Sequence, residues 1–239
     1  GETLTRLPGV SATSFGPGAS RPVLRGFQGE RVRVLVDGIG AIDVSNTSAD
    51  HAVTIDPITA DRIEVLHGPA VLLFGSQAIG GAVNVFDKRI PRRLPDEPAH
   101  VDAIAAYGTA ADERSLAAGV DVPVADGLVL HVDGSWRDTD DLEIGGFVLS
   151  PMLRAEQLAR ADEEAEEGHP EEAAEAREFA ALRRLLPNSA TATWTAGVGL
   201  ALIRDRGNIG FSFSVFDSRY GVPGRPGAGH HHARRRRRH

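Results

Sequence analysis

Hydrophobic and polar residues alternate along the second half of the chain, over stretches as long as β-strands. This alternation predicts strands at about 99–108, 113–123, 127–137, 190–203 and 207–217. In the fourth stretch, Trp194, Ala196 and Val198 lie on one face, and Thr195 and Gly197 lie on the other. Such a pattern is typical of half-buried strands in a soluble sheet, or of strands between lipid and a wet lumen.

The connections between these strands favour the second possibility. If the strands run up and down, the short turns at 125–127 and 204–207 lie on one side. An insertion of about fifty residues, between the third and fourth strands, lies on the other side. Outer-membrane barrels combine short periplasmic turns with long outer loops. Trp136 and Trp194 would then lie at the outer end of the lipid-facing surface, where aromatic residues are enriched.

The insertion predicts a helical hairpin at about 150–187. Ser150 is suited to cap the first helix, and Gly168 is expected to break it. Pro170 then begins a second helix, and Pro187 is expected to end it.

The first part of the chain contains compact apolar runs instead of long alternating ones. The runs Val32–Ile39, Arg62–Gly68 and Gly80–Phe86 predict short strands, separated by turns and one or two short helices. The three prolines of Ile90–Pro98 are incompatible with regular structure. The predicted organisation is a small α+β domain over 1–89, a linker over 90–98 and the strand-rich part over 99–239.

Composition and charge exclude several classes of function. The 239 residues include no cysteine, which removes disulfides, thiolate metal sites and cysteine nucleophiles. The net charge of -7 argues against general nucleic-acid binding, which needs a basic surface. The charge is uneven, because residues 156–178 carry ten carboxylates and two arginines, while Arg234–Arg238 are five consecutive cations. No spacing of His, Asp and Ser suggests a nucleophile with its base, so we predict no enzymatic activity.

Several motifs in the first 90 residues follow one another in the order of a known family. LPGV (Leu7–Val10), RPVLRGF (Arg21–Phe27), VRVLVDGI (Val32–Ile39) and IDP (Ile55–Pro57) precede RIEVLHGPAVLLFGSQAIGGAVNVF (Arg62–Phe86). Together they resemble the plug domain of TonB-dependent outer-membrane receptors. The resemblance implies a plug inside a barrel of about twenty-two strands in the Gram-negative outer membrane. It also implies active transport of a substrate, with TonB as the energising partner and membrane lipid around the barrel.

Two features depart from the family pattern. His67 stands where the signature usually has arginine, and five strands are too few to close a barrel. The TonB-contacting segment is expected ahead of residue 1. The expected fold is therefore an α+β plug domain followed by antiparallel transmembrane β-barrel strands, an incomplete barrel with a helical outer-loop insertion.

A short segment of the plug indicates a substrate. SADHAVTID (Ser48–Asp56) resembles the plug loop of the zinc-uptake branch, in which an adjacent Asp-His pair binds metal. Here the pair is Asp50 and His51. A carboxylate and a neutral imidazole suit Zn²⁺, although two ligands are too few and barrel loops would have to supply others. In the alternative interpretation, Asp50 caps a polar turn.

A histidine run after the last predicted strand agrees with this substrate. RYGVPGRPGAGHHH (Arg219–His232) resembles the His-rich outer loops of the zinc branch. His230, His231 and His232 would capture zinc and pass it inward, while the acidic hairpin would concentrate cations. The alternative interpretation is the remnant of a tag. Zinc is thus expected as the transported ligand, and no cofactor is required.

Two other functions remain open at this point. Within the same family, the cargo would be a ferric siderophore, haem or cobalamin. The presence of only two Tyr and two Trp favours a bare ion. Outside the family, the chain would be a soluble β-rich domain that binds polyanions through Arg234–Arg238.

Overall fold

The computed structural model describes residues 4–14, 20–40, 60–75 and 78–224. Within these ranges the strands of the first part are β1 (Val10–Ser14), β2 (Ser20–Leu24), β3 (Val32–Val36), β4 (Ile39–Gly40), β5 (Ala60–Leu66) and β6 (Gly81–Asp87). The elements of the second part are β7 (His100–Gly108), β8 (Glu113–Ala125), β9 (Leu128–Thr139), β10 (Leu142–Phe147), α1 (Pro151–Glu166), α2 (Pro170–Ala181), β11 (Arg183–Leu186), β12 (Thr191–Arg204) and β13 (Gly207–Tyr220).

The first part is built around a mixed sheet with the strand order β4-β3-β6-β5. β6 is central, pairing in parallel with β3 and antiparallel with β5. β1 and β2 form a separate antiparallel pair. The short helices of this part, among the residues described, are 3₁₀ helices at Gly29–Arg31 and Gly68–Phe74.

Hydrophobic residues cover both faces of this mixed sheet, which explains the compact apolar runs. Val32 and Leu35 point to opposite faces of β3, and Ala82 and Val83 do the same in β6. The two buried clusters are Leu4, Val10, Leu24, Val32, Val83 and Val85 on one side, and Leu35, Val71, Ala78 and Ala82 on the other.

The second part contains a five-stranded antiparallel sheet with the order β13-β12-β9-β8-β7. The predicted strands are confirmed, and the register places Trp136 directly opposite Trp194 at the end next to the insertion. Both tryptophans are exposed. β7 and β13 each have a neighbour on one side only, so the described strands form an open wall and not a closed barrel.

The two faces of this sheet differ in polarity. We call the face that Arg89 and Ile90 contact the inner face, and the opposite one the outer face. The outer face of β13 carries Ile209, Phe211 and Phe213, all more than 60% exposed. The alternative of polyanion binding rests on Arg234–Arg238, which lie outside the described residues, so it stays a prediction.

In its central strands β9 and β12, the inner face is largely polar and mostly buried. Ser135 of β9 and Thr195 of β12 share a hydrogen bond of 2.9 Å between their hydroxyl groups. Thr139 and Thr191 are joined in the same way at 3.0 Å. The alternation in the sequence thus separates a polar inner face from an apolar outer face.

The insertion forms a helical hairpin on a two-stranded base, and the compact unit that contains it spans Glu143–Asn188. The Ser150 hydroxyl caps α1 by accepting the Leu153 N–H. The predicted end of the second helix at Pro187 is wrong. α2 ends at Ala181, because the backbone turns extended at Leu182 and β11 pairs with β10.

The helices of the described ranges are too short or too polar to cross a membrane. No helix or strand lies between Asp87 and His100, the region that contains the linker prolines.

Candidate functional site

The residues predicted to bind metal lie outside the described part of the chain. Asp50 and His51 fall in the range between β4 and β5, and His230, His231 and His232 follow residue 224. They therefore stay predictions.

Within the described ranges, the most highly connected polar site joins the end of the plug to the inner face of the sheet. The Arg89 guanidinium donates to both carboxylate oxygens of Asp133, from Nε and Nη2, at 2.8 Å each. The two side chains are 13% and 7% exposed. Asp87, the last residue of β6, lies 3.5 Å from Nη1 of Arg89 and accepts the Arg89 backbone N–H at 3.0 Å.

A buried histidine extends this network along the inner face. His131 Nδ1 lies 2.7 Å from Asp121 Oδ1, and His131 Nε2 lies 3.3 Å from Asp133 Oδ1. The His131 side chain is 3% exposed, and Nε2 makes no hydrogen bond to the residues that the structure describes. Both carboxylate oxygens of Asp133 already accept hydrogen bonds from Arg89. The cluster of Arg89, Asp133 and His131 is therefore better suited to an ion pair between plug and wall than to binding a metal ion.

Glycines allow the linker to approach the wall this closely. A Cβ on Gly199 would overlap the carbonyl oxygen of Arg89, and a Cβ on Gly197 would overlap its guanidinium. A Cβ on Gly210 would come within 2.7 Å of the Ile90 side chain. The backbone of β12 and β13 therefore forms a glycine slot, defined by Gly197, Gly199 and Gly210, that receives the linker.

A polar cavity of about 260 Å³ lies beside this network. Its polar lining comes from Lys88, Asp102, Asp121, His131 and Asp133. Lys88 donates to Asp102 at 2.7 Å, but both side chains are partly exposed, unlike those of Arg89 and Asp133.

The signature segment places its unusual histidine inside the plug. His67 precedes the 3₁₀ helix at Gly68–Phe74, and its Nδ1 is buried without a hydrogen bond to any described residue. Gly81 has a φ of +135°, and a Cβ there would lie 2.6 Å from the Leu24 side chain and 3.4 Å from His67 Nδ1. Close packing around this turn explains the need for glycine at that position.

The hairpin contains one group that the sequence reading missed. Ligand atoms of Glu164, Glu167 and His169 lie within 4.8 Å of one another, all on the surface. Their proximity depends on the turn at Gly168, whose φ is +87°. Among the described residues, no other group of three such side chains meets this spacing.

Comparison with known proteins identifies the first part of the chain. The family model of the TonB-dependent receptor plug domain matches residues 1–82. The chain carries a TonB-dependent receptor plug domain. The predicted plug domain is therefore confirmed over these residues.

The chain also resembles two known proteins beyond the plug. It is 29% identical over 152 residues to an iron-regulated outer membrane virulence protein of Vibrio cholerae, covering 60% of this chain and 23% of that protein. It is 30% identical over 145 residues to the vitamin B12 transporter BtuB of Vibrio vulnificus, with the same shares covered. The chain thus spans about a quarter of the length of these relatives.

A solved structure extends the likeness in fold beyond the plug. The copper transporter OprC matches with a TM-score of 0.65 and 20% identity, over 94% of this chain and 28% of that one. The antiparallel wall and the plug thus both have the fold of the N-terminal part of a TonB-dependent receptor.

Proposed function

We propose that this chain is the N-terminal part of a receptor that actively transports its substrate across the outer membrane. One observation carries the proposal: the end of the plug is bound to the polar face of a sheet whose other face is apolar. A plug in this position would block a passage lined by the polar face, while lipid surrounds the apolar face. TonB, energised from the inner membrane, would be the partner that moves the plug.

Zinc is the cargo that we propose for this receptor. Support comes from Asp50 and His51, which lie between two plug strands in a segment that resembles the zinc-uptake branch. The run His230–His232 also supports zinc as the cargo. It follows β13, whose last residue pairs with Thr191 at the edge of the sheet next to the helical insertion. Imidazole and carboxylate ligands in one vestibule suit Zn²⁺.

The experiment is calorimetric titration of Zn²⁺ into a receptor that carries these residues within a closed barrel. Asp50→Ala/His51→Ala should weaken zinc binding by at least about tenfold, because even second-shell changes cost that much. His100→Ala is the matched control, since His100 in β7 belongs to no described group with metal-ligand spacing, and it should leave the affinity unchanged. Equal affinity of wild type and the double variant contradicts the assignment of these two residues.

A large organic cargo is the second candidate, favoured by one specific observation. The relative from Vibrio vulnificus is named for vitamin B12 and matches this chain beyond the plug. Titration of the same receptor with cyanocobalamin, haemin and a ferric siderophore separates the candidates. Binding of one of these ligands, without zinc binding, favours the second candidate.

A further inference from the structure

The central strand of the plug leads directly to a residue with buried contacts to the wall. β6 pairs with both β3 and β5, and Arg89 follows the end of β6 by two residues. We propose that Arg89 is a positioning residue that anchors the plug on the barrel wall and keeps the passage closed at rest. This inference rests on the proposed function, since a resting plug has to close its barrel only in a transport receptor.

The side chain of Arg89 supplies the first half of this anchor. Its two-point ion pair with Asp133 is buried, so removal of one partner leaves an uncompensated charge away from water. Behind Asp133, the imidazole of His131 lies between Asp133 and Asp121. The orientation of the Asp133 carboxylate is therefore fixed by the two hydrogen bonds from Arg89, and the imidazole fills the space behind it.

The backbone of Arg89 supplies the second half. Its carbonyl oxygen occupies the space that a side chain on residue 199 would need, and its guanidinium occupies the space beside Gly197. Any larger residue at these positions displaces the linker from β12. Side chain and backbone thus fix the same residue through different contacts, one electrostatic and one steric.

Lys88, the residue before Arg89, makes an exposed ion pair with the wall that can be compared with the buried one. Lys88 also pairs with a carboxylate of the sheet, Asp102, at 2.7 Å. That pair is open to solvent, where salt screens it and side-chain freedom opposes it. Lys88→Gln therefore offers a control that removes a neighbouring cation at the end of the plug without changing the Arg89 anchor.

The test uses a receptor that carries these residues within a closed barrel. The variants are Arg89→Gln and Gly199→Ala, with Lys88→Gln and Gly134→Ala as matched controls. A Cβ on Gly134 in β9 meets only the Thr195 carbonyl oxygen, at 3.4 Å. The readout is the ion conductance of purified protein in a planar bilayer, with neither substrate nor TonB present. Heat-modifiable mobility on gels shows that each barrel is folded.

We expect Arg89→Gln and Gly199→Ala to raise the resting conductance several-fold, and both controls to stay at the wild-type level. Wild-type conductance in folded Arg89→Gln overturns the proposal. Equal leakage in the two controls also overturns it, because closure would then not depend on Arg89. If Gly199→Ala does not assemble, the resting conductance of Arg89→Gln alone tests the proposal, since that variant leaves the glycine slot unchanged. Absence of zinc uptake by the wild type contradicts the proposed cargo and leaves the conductance comparison unaffected, so the two failures are distinguishable.

Discussion

At the scale of single residues, Asp37 combines a backbone constraint with a charge constraint. It lies in the turn between β3 and β4 with a φ of +50°, a conformation that Asp and Asn adopt more readily than other residues. Burial raises the pKa of its carboxyl group, and the nearby charge of Asp87 raises it further. The guanidinium of Arg92, whose Nη2 lies 3.2 Å from Asp37 Oδ1, lowers this pKa in part. The ionised form is therefore disfavoured in the folded plug.

This environment predicts a pH-dependent effect of Asp37→Asn. A carboxyl whose pKa is raised by folding contributes stability below its ordinary pKa and loses that contribution as pH rises through the folded-state pKa. Asp37→Asn should therefore gain stability relative to wild type as the pH rises above the ordinary carboxyl pKa of about 4. The measurement is the urea unfolding midpoint at several pH values.

Asp37→Ala serves as the matched control for this effect. It also cannot ionise, but alanine lacks the short polar side chain that makes the left-handed backbone accessible to Asp and Asn, so it should be roughly 1–2 kcal/mol less stable than Asp37→Asn at every pH. A difference between Asp37→Asn and wild type that stays constant across the pH range contradicts the charge argument.

At the scale of elements, the strands of the wall owe their position to the contrast between their two faces. Phe213 belongs to the outer face of β13 and is 67% exposed. Phe213→Arg should destabilise the wall by about 2–4 kcal/mol if this position lies at the bilayer midplane, because a charge there is removed from water.

The yield of folded receptor in lipid vesicles, scored by heat-modifiable mobility, measures this loss. Phe213→Leu is the control and should assemble like wild type, since leucine is equally suited to lipid. Normal assembly of Phe213→Arg indicates that the outer face does not meet hydrocarbon at this position.

The helical hairpin depends on small residues between its helices. Ala173 in α2 is 1% exposed, and Ala161 of α1 is completely buried, while Ala174 faces solvent. Ala173→Leu should overpack the contact and cost about 1–3 kcal/mol. Ala174→Leu should change stability by less than about 0.5 kcal/mol. Hydrogen exchange of the α1 and α2 amides tests this, and equal protection in the two variants contradicts the packing argument.

At the scale of the whole molecule, the described part leaves much apolar surface and two sheet edges uncovered. The outer face shows Ile209, Phe211 and Phe213, and the edges of β7 and β13 have backbone groups without a strand partner. Such surfaces drive association in water.

We therefore expect this chain alone to self-associate in plain buffer and to disperse in non-ionic detergent. Light scattering coupled to size-exclusion chromatography gives the particle mass under both conditions. Phe211→Ser/Phe213→Ser should reduce the association, because it removes apolar area from the outer face. A single monomeric species in detergent-free buffer contradicts this prediction.

Local patterns predicted the strands well and the ends of the insertion less well. The wall strands alternate over nine or more residues, and their observed ends differ from the predicted ones by three residues at most. Arg183–Leu186 gave no such signal, because the run contains two cations and then two leucines without alternation. Its strand state depends on pairing with β10, which lies before both helices.

The candidate site was beyond the reach of sequence patterns. Arg89 and Asp133 are 44 positions apart in the sequence, and neither lies in a motif that predicts contact with the other. The glycines of the slot look like ordinary small residues of an alternating strand. Only the contact with the linker shows why Gly199 has to lack a side chain.

The motifs of the first 90 residues are confirmed as those of a TonB-dependent receptor plug domain, which matches residues 1–82. By itself the sequence determined this family, the two faces of the wall and the position of the insertion, because each depends on neighbouring residues. The tertiary structure alone decided which charges meet, since a shift of one residue in strand register would turn Asp133 to the outer face. The anchor at Arg89 exists because the register, the glycine slot and the linker coincide in space.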